Sequence, residues 1–82
     1  MFDVYLYFQH SDETVSLVSK NATEENVFKL INADVEKRNP KFKIYYIRRW
    51  KVKGQEIFDV GSHVEYYILT DIFYKNGEKP SV

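Results

Sequence analysis

The 82-residue chain reads as an α+β domain. The expected order is β-β-α-β-β-β, a mostly antiparallel sheet of about five strands with one helix on one face. Three observations lead there. Most of the sequence alternates apolar and polar residues with period 2. One stretch, between Thr23 and Arg38, instead repeats its apolar residues at helical spacing. Turn-forming Gly, Asn, Asp and Pro fall between these stretches.

The first strand is Phe2 to Gln9. Phe2, Val4, Leu6 and Phe8 share one face; Asp3, Tyr5, Tyr7 and Gln9 share the other. His10 to Glu13 is turn-like, and Thr14 to Ser19 follows as the partner strand of a hairpin, with Val15 and Leu17 inward and Ser16 and Val18 outward. Asn21-Ala22-Thr23-Glu24-Glu25 opens the helix. Thr23 suits the N-cap because its hydroxyl can accept from a free backbone N–H, and the two glutamates suit the positive end of the helix dipole. Val27, Leu30, Ile31 and Val35, with Phe28 at the edge, form the buried stripe. Lys37 and Arg38 sit at the negative end, and Asn39-Pro40 closes the helix.

Lys41 to Lys53, KFKIYYIRRWKVK, has the composition of one long strand. Period 2 puts Phe42, Ile44, Tyr46, Trp50 and Val52 on a core face, with Arg48 the exception. Lys41, Lys43, Tyr45, Ile47, Arg49, Lys51 and Lys53 fall on the other. After a turn at Lys53-Gly54-Gln55, Glu56 to Val60 is a shorter strand, ended at Gly61-Ser62 by a turn or bulge. His63 to Tyr74 is the last strand. Val64, Tyr66, Ile68, Thr70 and Ile72 share its core face; His63, Glu65, Tyr67, Leu69, Asp71 and Phe73 share the open one. Residues 1–75 make a single domain, and 76–82, from Asn76-Gly77 through Lys79-Pro80-Ser81-Val82, a flexible tail.

Composition narrows the function classes. There is no Cys, hence no disulfide framework, thiolate metal site or thiol nucleophile. No apolar run approaches the roughly 18 residues of a membrane span, and MFDVYLYF lacks the basic region of a secretory signal. The expectation is a cytoplasmic protein with no membrane partner. His10 and His63 have acids nearby in sequence but no metal-ligand spacing, Ser62-His63 adjacency is not a triad, and no Gly-rich phosphate loop occurs. The expectation is therefore no catalytic residue, no metal and no cofactor.

Charge is unevenly placed although the net is zero. Residues 1–36 carry two bases against seven acids, residues 37–53 eight bases and no acid, and residues 54–82 two bases against five acids. A neutral chain can thus present a basic stripe, or neutralise it by packing its acidic parts beside it. One helix, ~10–12 Å across, covers only two or three strands of a five-stranded sheet. The other face then carries Tyr5, Tyr7, Tyr45, Ile47, Tyr67, Leu69 and Phe73, an apolar and tyrosine-rich surface of the kind that marks an interface, unless the sheet curls upon itself. Lys43, Tyr45, Arg49, Lys51 and Lys53 also match a phosphate-binding and base-stacking strand, while lysines on an exposed strand equally protect an edge from mispairing.

Thr23-Glu24-Glu25, Tyr45-Tyr46-Ile47-Arg48 with Trp50, and Asp59-Val60-Gly61-Ser62-His63 with Tyr66-Tyr67 together resemble a pattern in small phage and prophage proteins of Gram-positive bacteria. The resemblance spans most of the chain and brings no catalytic residue with it. It implies a mobile-element accessory protein that binds and inhibits, or redirects, a host factor. The residues of the Asp59–His63 segment also have a structural reading, with Gly61 at a positive φ and Asp59 anchoring the turn or meeting Arg48 or Arg49.

The resulting expectation is a non-enzymatic protein-binding module, acting on a host factor or on a second copy of itself. Its surface would comprise Lys43, Tyr45, Ile47, Arg49, Lys51, Lys53, Tyr5, Tyr7, Tyr67 and Leu69. Single-stranded nucleic-acid binding through 41–53 is the alternative.

Overall fold

The computed structural model describes residues 4–44, 47–61 and 65–80. Phe2, Asp3, Tyr45, Tyr46, Ser62, His63, Val64, Ser81 and Val82 therefore lie outside the described residues. The elements are β1 (Tyr5–Gln9), β2 (Val15–Lys20), α1 (Val27–Arg38), β3 (Arg48–Val52), β4 (Gln55–Asp59) and β5 (Tyr66–Thr70). All pairings are antiparallel in one sheet of order β2-β1-β5-β4-β3. This is the predicted α+β architecture, with β1 and β5 brought together from the two ends of the chain.

Cross-strand partners share a face, so the registers fix which side each residue occupies. Leu6↔Leu69, Phe8↔Tyr67 and Tyr67↔Phe58 define the helix side. There Val27, Ile31 and Val35 of α1 bury against Leu6, Phe8, Phe58, Tyr67 and Leu69. Tyr7↔Ile68 and Ile57↔Ile68 define the opposite side, a second core of Tyr7, Val15, Ile57 and Ile68 closed by Tyr74. The face expected to stay open is thus partly covered by Tyr74, from the segment after β5.

The phase of β1 is as predicted, whereas the later strands differ. Tyr67 and Leu69 are buried on the helix side, while Tyr66, Ile68 and Thr70 face the other way, the reverse of the sequence reading. The reason is that β5 is covered on both faces, so both its residue sets are apolar and alternation carries no phase. Val15 and Leu17 belong to the second core, and Val18, the next residue after Leu17, alternates to the helix-side core; the register shifts there, between Leu6 and Tyr7 of β1. β5 stops at Thr70, whose hydroxyl accepts from the Ile72 N–H at 3.1 Å, a local bond that competes with the ladder.

Among the described residues of the expected long strand 41–53, Arg48–Val52 is strand and 41–44 is not. The preceding segment starts in a turn in which the Phe42 N–H donates to Asn39 O at 3.0 Å. Phe42, Ile44 and Ile47 pack on the helix-side core from an irregular path. Phe42 and Ile44, two apart, mimic strand alternation, but Ile47, expected on the other face, joins them on the same core. Within β3, Arg49↔Phe58 and Lys51↔Glu56 put Arg49 and Lys51 on the helix side, and Trp50↔Ile57 and Val52↔Gln55 put Trp50 and Val52 opposite.

The helix proper begins at Val27, one turn later than predicted. Thr23 does make a capping arrangement. Its Oγ1 accepts from the Asn26 N–H at 3.2 Å while Asn26 Oδ1 accepts from the Thr23 N–H at 2.6 Å. This is the reciprocal logic of a capping box with Asn in place of Glu.

Candidate functional site: the basic edge and the two sheet faces

The expected surface residues separate. Tyr5 and Tyr7 lie on the face away from the helix, Tyr5 half-buried and Tyr7 wholly buried. Tyr67 and Leu69 are buried under α1. Ile47 is half-buried against that same core. Lys43 is exposed in the segment before β3; Arg49 and Lys51 are exposed on β3, and Lys53 is exposed in the turn that follows. Tyr45 lies outside the described residues.

Tyr7 is occupied structurally. Its hydroxyl accepts from the Tyr74 N–H at 2.7 Å, and burial pushes its phenol upward in pKa against the opposing effect of that bond. Tyr74 stacks edge-on to Tyr7 at 5.5 Å, and its own hydroxyl donates to Gln55 Oε1 at 3.1 Å. One aromatic residue thus pins the segment after β5 to both β1 and β4. Asn76 Oδ1 accepts from the Leu17 N–H at 3.2 Å, and Val15 exchanges two backbone bonds with Gly77 and Glu78, each 2.9 Å. Residues 76–78, expected as the start of a loose tail, are therefore bonded along the outer edge of β2.

Tyr67 is likewise engaged. Its hydroxyl donates to Asp34 Oδ2 at 2.6 Å, the same oxygen that accepts from Arg38 Nε. Burial and the neighbouring Asp34 carboxylate hold its phenol well above the ordinary tyrosine range. The Arg38 guanidinium in turn covers the Phe8 ring at 4.0 Å. Tyr67, Arg38 and Phe8 border a 720 Å³ cleft with His10, Phe42, Gly61 and Glu65 on its other walls. The Asp34–Arg38 pair was legible as i,i+4 spacing, but its closure by Tyr67 depends on the phase of β5. His10 Nε2 meets Ser16 Oγ at 2.9 Å, and the Asp12 carboxylate is held by Thr14, whose hydroxyl lowers its pKa.

The basic edge is the surface that remains open. β3 is the last strand of the sheet, with Arg48 to Lys51 exposed. Arg48 Nη2 is 3.5 Å from Asp59 Oδ2, while Asp59 Oδ1 accepts from the Gly61 N–H at 2.9 Å, so Asp59 serves both turn and arginine. Arg49 Nη1 stands 4.0 Å from Glu56 Oε1, a buried oxygen with no hydrogen bond among the described residues. At that distance the contact is an ion pair without a hydrogen bond. No described residue forms an ion pair with Lys41, Lys43, Lys51 or Lys53. Among the described residues, the acids form ion pairs on this edge with Arg48 and Arg49, while Lys51 stands opposite Glu56 across the ladder and shares a cleft with Glu24, Glu56 and Asp71. Aromatic groups flank the edge on both sides. Phe28, from α1, lies under the Arg49 guanidinium at 5.7 Å; Trp50 packs against Tyr66 at 6.1 Å and has the Arg48 guanidinium at 6.0 Å.

Among the described residues, no group of three or more His, Cys, Asp or Glu side chains is placed to hold a metal ion, and no helix is long and apolar enough to cross a membrane. Comparison with family models, with curated proteins and with solved structures found no match.

Proposed function

We propose that this protein is a small non-enzymatic accessory module of the phage or prophage type that acts by binding another protein, such as a host factor. The observation that carries the reading is the exposed rim along β3. Two exposed aromatic side chains, Trp50 and Phe28, flank a cationic strand there. Exposed aromatics beside arginines are what binding hot spots are made of. The tyrosine face carries less of the proposal than its sequence suggested, because Tyr7 and Tyr67 already serve two cores.

A photocrosslinking amino acid at position 50, in the full chain mixed with lysate of a Gram-positive host, tests this. A discrete adduct of protein size, competed by unlabelled protein and missing when the crosslinker sits at the exposed position 36 of α1, is the expected result. Adducts of equal yield at both positions would overturn it.

Single-stranded nucleic-acid binding is the second reading, favoured by Lys41, Lys43, Lys51 and Lys53, which are exposed and form no ion pair with a described residue. It predicts affinity for labelled single-stranded RNA or DNA that falls with salt at a log–log slope of about −2 to −4 for three to five phosphates.

A further inference from the structure

We infer that the free edge of β3 accepts an extended acidic peptide as an added strand of the sheet. This rests on the protein-binding reading above and specifies its partner.

The hairpin geometry identifies the groups available. Lys53 and Gly54 both have positive φ, 50° and 79°, as a two-residue type I′ turn requires. In such a hairpin the closing pair, Val52 and Gln55, is hydrogen-bonded, and bonded pairs alternate along the ladder. Trp50 and Arg48 therefore bond inward to β4, and the N–H and C=O of Arg49 and Lys51 point outward. No bond from a described residue reaches that side of β3. The chain closes its other edge, at β2, with residues 76–78, and leaves this one open.

Charge selects the occupant. A second copy pairing antiparallel about Trp50 would set Arg49 opposite Lys51, like charge against like, which is destabilising. A strand with carboxylates at alternate positions does the opposite. It sets one acid against Arg49 and the next against Lys51, with an intervening side chain on the side of Trp50. A nucleic acid fits less well. The cations divide between the two sides of the strand, Arg49 and Lys51 on one and Arg48 on the other, so they do not make one stacking platform.

The test uses wild-type protein and a fluorescein-labelled peptide alternating Glu and Val, followed by anisotropy. In the proposed register the peptide's glutamate amides bond to Arg49 and Lys51, and its valine amides point away. N-methylation of the glutamate amides should weaken binding by at least about tenfold. N-methylation of the valine amides should change it less than about twofold, and a Lys-Val peptide should not bind. Lys51→Pro, which removes an outward N–H, should bind more weakly than Lys51→Ala, provided circular dichroism shows both folded. Equal binding of the two methylated peptides would overturn strand addition in favour of charge alone. No binding of the acidic peptide, with the position-50 adduct retained, would overturn this inference and leave the protein-binding reading standing; loss of both would end both. Tighter binding of single-stranded RNA, competing with the peptide, would overturn it in favour of the nucleic-acid reading.

Discussion

The two edges of the sheet are finished by different means. β2 is closed by the chain itself, through Val15, Leu17 and residues 76–78, with Tyr74 driven into the core beneath them. Among the described residues nothing bonds the outward backbone groups of β3, which is flanked by the exposed cations Arg48, Arg49 and Lys51. The first device gains hydrogen bonds and buried area and commits the edge permanently. The second prevents like from pairing with like and keeps the edge available to a strand of opposite charge. Stability should therefore be concentrated at the first edge and discrimination at the second.

Substitutions at the β2 side should cost most. Tyr74→Ala removes a buried ring and the hydroxyl bond to Gln55 and should destabilise the fold by about 3–5 kcal/mol in urea unfolding. A loss below about 1 kcal/mol would mean that this segment does not close the second core. Tyr7→Phe keeps the ring but leaves the Tyr74 N–H unpaired, at about 1–3 kcal/mol.

The tyrosines also give the comparison a pH dependence. Tyr7 and Tyr67 have phenols raised above their ordinary value, so the unfolded chain ionises first. Their contribution is fully present below about pH 10 and is lost as pH rises through the folded-state values. Tyr67→Phe should flatten that alkaline decline more than Tyr7→Phe does, as followed by urea midpoints between neutral and strongly alkaline pH.

Smaller effects are expected at β3. Arg48→Ala should alter stability by less than about 0.5 kcal/mol, because its bridge to Asp59 is long and solvent-exposed. Hydrogen exchange should separate the edges without mutation. The amides of Val15, Leu17 and Gly77, each bonded, should be protected, while those of Arg49 and Lys51 exchange rapidly. Protection of Arg49 and Lys51 on adding the Glu-Val peptide would join the two halves of the comparison.

Much of the scaffold could be read from the sequence. The face opposite Val4, Leu6 and Phe8 is polar only at its ends, Asp3 and Gln9, and those two residues make the phase recoverable. The helix stripe Val27, Ile31, Val35 was recoverable because it has a solvated opposite face. β5 was not, since Tyr66-Tyr67-Ile68-Leu69 is apolar at every step and its phase comes only from pairing with Leu6 and Phe8. β3 misled for a related reason. Arg49 and Lys51 are long enough to stand on the helix side and still reach water, so charge did not report which face they occupy. The role of Tyr74 had no local signal. Its partners, Tyr7 and Gln55, lie far away in sequence and only the sheet order assembles them.

That sheet order also governs how the chain is made. β1 holds a central position, but the strand that completes it is β5. At ~5–20 residues per second, the ribosome takes roughly 3–12 seconds to go from Gln9 to Thr70. Until then Leu6, Tyr7 and Phe8 lie on a strand with one edge unsatisfied. Between β2 and β4 emerges the block of eight bases from 37 to 53, opposite in sign to residues 1–36 that carry that strand. Half-made copies crowded on a polysome would thus meet with both an open edge and attracting charge, a hazard that ends for each copy when its own β5 docks.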